Sequence, residues 1–340
     1  MRSSNNRKSK IIKRKKEMRR RKIISLSFIT ILIVSIPLFL ILNKKGSDNE
    51  IVKAENKEAK PKASSSKNTD NSKDNGKDIN SKDPSSNKKE EVKIHNSGYL
   101  SLKDDPNADD AKIVAKNTND LLTGTKQYPV RTDGKKVVYL TFDDGPSTTN
   151  TPTVLKTLDK YNVKGTFFIM GKSLAANNTA KELLKEIAKN GHAIANHSYS
   201  HDYDYLYPGR TMNVSNMLKD FKKNDDLMKS VLGKDFSTRV IRLPGGYWSW
   251  NGREPFKKKM IELNISNIDW NALNGDAEGK KKNAPELVNF LKKSVNELGP
   301  NADSVVVLMH DTYGKAETAK ALPQIIEYFK DKGFEFRTIK

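Results

Sequence analysis

Residues 136–150 read KVVYLTFDDGPSTTN. Val137–Phe142 is a short apolar run, and it ends in two carboxylates, Asp143 and Asp144, before a Gly145-Pro146 turn. An apolar run of this length bounded by turn residues reads as a buried strand. Six further runs of the same kind follow at Gly165–Met170, His192–Asn196, Val240–Leu243, Ile265–Trp270, Ser304–Met309 and Phe334–Ile339. Amphipathic stretches separate them: Thr153–Tyr161, Ala180–Lys189, Met212–Leu232, Pro285–Leu298 and Lys315–Asp331. Leu183, Leu184, Ile187 and Ala188 keep helical spacing, and Gly191 after Asn190 is a helix stop. Strands alternating with helices predict a parallel sheet covered by helices. In such sheets and barrels, chemistry sits beyond the carboxyl ends of the strands.

The predicted strand ends carry residues that suit that rule. Asp143 and Asp144 can point in different directions, one binding a cation while the other stays free as a base; the plain alternative is a solvated turn. His197 and His201, in HSYSH, are spaced i, i+4, so they share one face of a helical turn and can chelate one metal. Four of the five histidines (His192, His197, His201 and His310) lie at ends of predicted strands. With Asp144, His197 and His201 form a two-His, one-carboxylate set that leaves positions open for water and substrate. Arg242, in RLPGG, can hold a carboxylate by a bidentate pair. His310, in LMHD, is a candidate proton donor. Trp248, Trp250 and Trp270 fall near the same rim, as core packing or as a sugar-stacking platform.

Taken in order, Asp143-Asp144, His197-x-x-x-His201, Arg242-x-Pro244 and Leu308-x-His310 resemble the motifs of the polysaccharide deacetylases, carbohydrate esterase family 4 or the NodB homology domain. The similarity covers residues 135–340 and is closest to peptidoglycan N-acetylglucosamine deacetylases. It implies a distorted (β/α)7 barrel and removal of acetyl groups from sugars with one divalent metal. Zinc is the first expectation; cobalt, manganese and nickel accept the same ligands. It further implies Asp144, His197 and His201 as metal ligands, Asp143 as base, Arg242 orienting Asp143, and His310 as acid. Leu308 would line the pocket for the acetyl methyl, and Trp270 would meet substrate. Two motifs depart from the family. The Asp that tunes the catalytic His is either Asp276 or the literal Asp-Trp residue Asp269, and Asp276 is preferred by its count from Trp270. Gly245 stands where the family often has Tyr; its backbone N–H remains available to an oxyanion.

The rest of the chain places this domain. Residues 1–22 hold twelve Lys/Arg against one acid, about half of the net charge of +21. Residues 23–42, IISLSFITILIVSIPLFLIL, carry no charge, and twenty helical residues span about 30 Å, a bilayer core. A basic block before such a run predicts a cytoplasmic N-terminus, an uncleaved single-pass anchor and everything after it outside. The basic block is then topogenic charge and lipid contact, and no nucleic-acid partner is expected. Residues 43–97, nearly free of apolar side chains, read as a disordered extracellular linker, whose roughly 50 residues reach roughly 40 Å. Residues 98–134 read as a flank of the catalytic domain. The absence of cysteine removes disulfide scaffolds, thiolate metal sites and cysteine nucleophiles.

The expectation is a monomeric enzyme at the cell membrane that deacetylates peptidoglycan N-acetylglucosamine and confers lysozyme resistance. Deacetylation of an exopolysaccharide, chitin-type glycan, xylan or N-acetylmuramic acid is the alternative within the class. A catalytically inactive wall-binding module and a two-His, one-carboxylate iron oxygenase are the alternatives outside it.

Overall fold

The two longest strands, Val137–Asp143 and Ser304–His310, run parallel and in unbroken register, from Val137 opposite Ser304 to Asp143 opposite His310. The structure, a computed structural model, describes residues 98–340. The expected basic segment 1–22, membrane span 23–42 and linker 43–97 lie outside the described residues. Among the described residues no helix is long and apolar enough to cross a membrane.

In chain order the elements are β1 (Ala108–Asp109), α1 (Ala111–Thr123), β2 (Val137–Asp143), α2 (Thr151–Lys160), β3 (Thr166–Ile169), α3 (Gly171–Ala175), α4 (Asn178–Lys189), β4 (Ala193–Asn196), α5 (Tyr203–Leu206), α6 (Val214–Leu232), β5 (Val240–Ile241), α7 (Arg253–Glu262), β6 (Ser266–Asn267), β7 (Ala272–Leu273), α8 (Ala284–Glu297), β8 (Ser304–His310), α9 (Ala316–Asp331), β9 (Glu335–Phe336) and β10 (Thr338–Ile339). Short 3-10 turns occupy Pro208–Arg210 and Tyr247–Ser249.

The main sheet runs β6-β5-β4-β3-β2-β8-β7, all parallel. Strand alternation sorts side chains into two layers. Val138, Leu140, Phe142, Phe167, Ile169, Val305, Val307 and Met309 face the helices in the large outer core. Tyr139, Phe168, Ala195, Val240, Ile268 and Val306 fill the concave side. There Ala111 and Val114 of α1 join them, so residues 98–134 contribute to the inner layer. The helices form where the sequence places apolar residues at helical spacing. In α4 these are Ala180, Leu183, Leu184, Ile187 and Ala188, with the Asn177 side chain capping the Ala180 N–H. Asn283 and Glu286 form a capping box on α8. Each fully buried Leu, Ile or Phe of this layer stabilises the fold by roughly 1.5–3 kcal/mol.

Two expectations need correction. The sheet curls but is an open half-barrel rather than a closed ring: among the described residues no ladder joins β6 to β7. The chain runs from β6 to β7 there without pairing the two, and Asn271 just before β7 extends the β7–β8 pairing through its side chain. Its Oδ1 accepts from Val306 N–H at 2.8 Å and its Nδ2 donates to Ser304 O at 2.9 Å. The expected seventh strand, Phe334–Ile339, is broken at Arg337. Glu335–Phe336 pairs with β2, and Thr338–Ile339 pairs with β1.

Candidate active site

Parallel register brings the first two residues together. Asp143 ends β2 and His310 ends β8, directly opposite each other. Asp143 is buried, and its Oδ1 accepts from Arg242 Nη1 at 2.7 Å. Arg242 leaves β5 and is itself wholly buried. Its Nε donates to Ile268 O and its Nη1 also to Thr141 Oγ1, each at 2.8 Å, while the guanidinium lies 4.0 Å from the centre of the Phe168 ring. A buried ion pair with this many fixed partners has one geometry. It holds Oδ1 and leaves Oδ2 turned toward His197, 3.6 Å from its Nε2.

His310 has its own anchor. Asp276 Oδ1 stands 2.8 Å from His310 Nδ1, and Asp276 Oδ2 accepts the His310 backbone N–H at 2.9 Å. Thr318 Oγ1 donates to the same carboxylate oxygen at 2.7 Å, and Lys315 Nζ donates to Asp276 O at 2.7 Å. Burial alone would lower the His310 pKa, but the facing Asp276 carboxylate outweighs it and raises the imidazole to about 9. Burial likewise opposes ionisation of Asp276, yet His310, Lys315 and Thr318 hold its carboxyl well below the usual range. Asp269, the other carboxylate considered, lies elsewhere: it accepts the Tyr247 N–H and an Asn267 amide bond, and burial raises its pKa.

Asp144, His197 and His201 form a second group. Asp144 turns away from Asp143 because its φ is 69°, which sends the two side chains in different directions. His197 Nε2 and His201 Nε2 each lie 3.4 Å from Asp144 Oδ1. The three ligand atoms fall within 4.8 Å of one another. His197 Nδ1 is 2.8 Å from Arg242 O, which fixes the ring with Nε2 inward. Asp144 Oδ1 is buried and has no hydrogen-bond partner, so an acceptor faces two imidazoles with no donor supplied by the protein. Such a donor set fits a divalent metal. The expected helical turn under the histidines is absent, however. Ser198 and His201 have φ of 68° and 51°, and the pair rides an irregular loop.

That loop is held by α6. Asp220 Oδ2 accepts the Tyr199 and Ser200 N–H groups at 2.8 and 3.0 Å. Asn224 Nδ2 donates to Ile169 O, Asn196 Oδ1 and Ser198 O. Neither residue was singled out from the sequence. The signal was there: the buried stripe of α6 runs Met217, Asp220, Phe221, Asn224, Met228, with polar side chains at two core positions. Asp311 was also missed. It accepts from Thr151 Oγ1 beneath the Asp143–Gly145 corner, and a Cβ on Gly145 would lie 2.3 Å from its Oδ1. Burial pushes its carboxyl up to about 7.

The remaining expected residues surround this centre. Leu308 is buried on β8, opposite Thr141 and Leu273. The Gly245 N–H makes no hydrogen bond to the described residues. Trp270 packs its indole against Gly246 and near the Arg242 guanidinium. His192 is not part of the site: it precedes β4 at the opposite end, buried, with Nδ1 accepting the Gly165 N–H.

A family model described as polysaccharide deacetylase matches residues 130–261. A peptidoglycan-N-acetylglucosamine deacetylase of Bacillus cereus is 30% identical over 239 residues, covering 66% of this chain and 81% of that one. A bifunctional xylanase/deacetylase of Pseudobutyrivibrio xylanivorans is 32% identical over 210 residues, covering 61% of this chain; the chain spans only 30% of that relative. The solved structure of a Streptococcus mutans CE4 esterase is 35% identical, with a TM-score of 0.61 over 68% of this chain and 92% of that one. A buried carboxylate paired with an arginine, an imidazole held by a second carboxylate and an open Asp-His-His group, on a fold and sequence of this likeness, place the chain in the polysaccharide deacetylase family, carbohydrate esterase family 4.

Proposed function

We propose that this polysaccharide deacetylase removes the N-acetyl group of N-acetylglucosamine in peptidoglycan, working at the outer face of the cell membrane with residues 23–42 as its anchor. The observation that carries the chemistry is the convergence of Asp144, His197 and His201 beside Asp143 and His310. The substrate rests on the B. cereus relative and on the sequence of residues 23–97, a membrane-length apolar run followed by a polar stretch. The xylanase/deacetylase relative favours acetylated xylan as the second reading.

In the mechanism, Asp144, His197 and His201 would hold one divalent metal, with zinc as the first choice. When bound, such an ion polarises the acetyl carbonyl and lowers the pKa of water. Asp143 acts as base through Oδ2, since Arg242 occupies Oδ1. The water oxygen bonds the acetyl carbon, its proton passes to Asp143, and the carbonyl pair moves onto oxygen. The Gly245 N–H stands ready for that oxyanion. Asp276 keeps His310 protonated, so Nε2 can donate to the amide nitrogen as the C–N bond breaks. Acetate and a glucosamine unit leave. Leu308 lines the space for the acetyl methyl.

Each turnover converts a neutral acetamide into an amine that is largely cationic at neutral pH. A less anionic wall attracts cationic lysozyme less. A lysozyme site built for the acetamide is also left with unpaired polar groups. Cells lacking this protein are therefore expected to be more sensitive to lysozyme and to carry a more acetylated wall, and a His310→Ala copy should restore neither. Unchanged sensitivity and unchanged wall acetylation would remove peptidoglycan as the substrate.

A further inference from the structure

The segment Gly245–Trp250 forms one wall of the site, and it is built around two glycines with φ of 75° and 80°. A Cβ on Gly245 would lie 2.9 Å from Trp250 Cζ2 and 3.4 Å from the Tyr203 hydroxyl. A Cβ on Gly246 would lie 2.9 Å from Trp270 Cη2. The space that a side chain at position 245 would occupy is thus filled by rings from other segments. Trp250 stacks on Tyr207 with centroids 4.0 Å apart and planes at 15°. Its indole N–H donates to Pro244 O at 2.9 Å, which fixes the ring. Tyr203, the first residue of α5, lies against Trp250 at 5.1 Å and against the ligand ring of His201 at 5.3 Å.

The Tyr203 ring is therefore wedged between the aromatic wall and the histidine, but its hydroxyl has no hydrogen-bond partner among the described residues. The Gly245 N–H beside it has none either. Backbone geometry puts the hydroxyl within about 6 Å of that amide nitrogen. Two donors that share one oxygen at about 2.7–3.1 Å each stand no more than about 6 Å apart. Two half-buried donors without protein partners, this close together beside His201, can share one acceptor that arrives with substrate.

We propose that the Tyr203 hydroxyl is a second oxyanion donor, acting beside the Gly245 N–H from the space that a side chain at position 245 would take. The proposal rests on the deacetylase reading above and adds a catalytic residue to it. A phenylalanine at this position preserves every ring contact and removes only that donor.

The test compares the full chain with its Tyr203→Phe variant on two acetylated compounds, an N-acetylglucosamine oligomer and an aryl acetate. The aryl acetate develops the same oxyanion but offers no sugar. The variant should retain its metal content and far-ultraviolet circular dichroism. Its kcat should fall on the order of 10²-fold on both compounds, with KM changed less than about twofold, as for loss of an oxyanion donor. Unchanged kcat on the aryl acetate with a raised KM on the oligomer would mean the hydroxyl holds the sugar, and would overturn the proposal. Unchanged kinetics on both would reduce Tyr203 to packing. A wild-type chain inert toward both compounds would instead sink the deacetylase reading itself.

Discussion

Asp143 and His310 leave neighbouring strands, and each is gripped by a side chain of opposite character: Arg242 on Asp143 and Asp276 on His310. Across the site, His197 and His201 ride a loop with two residues at positive φ, held from below by Asp220 and Asn224. The strand-borne pair has its partners built in. The two loop histidines face Asp144 from the turn after β2, and leave its buried carboxylate oxygen unpartnered between two imidazoles. On the proposed mechanism, the difference separates two tasks. Groups that move protons need fixed geometry and tuned protonation, and strand ends supply both. Groups that hold an ion need their lone pairs unspent, and irregular backbone beyond the strands can aim three of them at one point without satisfying them internally.

If that division is real, substitutions on the two sides should fail differently. The largest effect is expected from His197→Ala or His201→Ala: loss of both bound metal and measurable turnover, because three protein ligands leave none to spare. Metal content after gel filtration, read beside acetate release, checks it; stoichiometric metal with full turnover would remove the assignment. Next, Asp143→Asn should keep its metal yet lose on the order of 10²–10⁴-fold in kcat, the scale of general-base catalysis. Asp144→Asn should weaken metal affinity first. Swapped phenotypes would reverse the two roles.

Asp220→Ala tests the loop support. Its carboxylate caps two backbone N–H groups of the ligand loop. A metal dissociation constant raised roughly 10–100-fold is expected, as for other groups that orient metal ligands from behind. Unchanged affinity would show that the loop keeps its shape without α6.

The smallest effect concerns pH. His310 stays protonated up to about 9 because the Asp276 carboxylate outweighs its burial. Activity that needs the protonated imidazole is present below that value and lost as pH rises through it. Asp276→Asn removes the negative charge, so the alkaline limb should move down toward about 6.5, the ordinary histidine value. A limb that stays in place would mean that another group donates the proton.

Much of the strand-borne half was legible in the sequence. Val137–Asp143 and Ser304–His310 are uninterrupted apolar runs, and parallel register carries their terminal residues to one edge whatever the helices do. The count from Trp270 pointed to Asp276, and Asp276 is the carboxylate that meets His310. The loop-borne half was legible only as residue types. The i, i+4 spacing suggested a helical turn, but Asp220 and Asn224, on a helix that follows the histidines, dictate the loop instead. Short elements were hidden for a related reason. β5, β6 and β7 have two residues each, too few to show a period, and the Asn271 side chain extends the pairing of β7 with β8. Tyr203 was invisible because its position depends on Trp250 and on the bare backbone at Gly245, forty-odd residues away.

The central claim is that the Asp144-His197-His201 group and the Asp143–His310 pair together remove acetyl groups from N-acetylglucosamine in peptidoglycan. The most direct measurement incubates the purified chain with purified peptidoglycan, before and after metal removal and with zinc restored. Acetate is quantified and the mass of each released sugar is determined. The account predicts acetate equal to the number of N-acetylglucosamine units that lose one acetyl mass, abolished by metal removal and recovered with zinc. Acetate that appears undiminished after metal removal, or none from peptidoglycan while acetylated xylan is deacetylated, would contradict it.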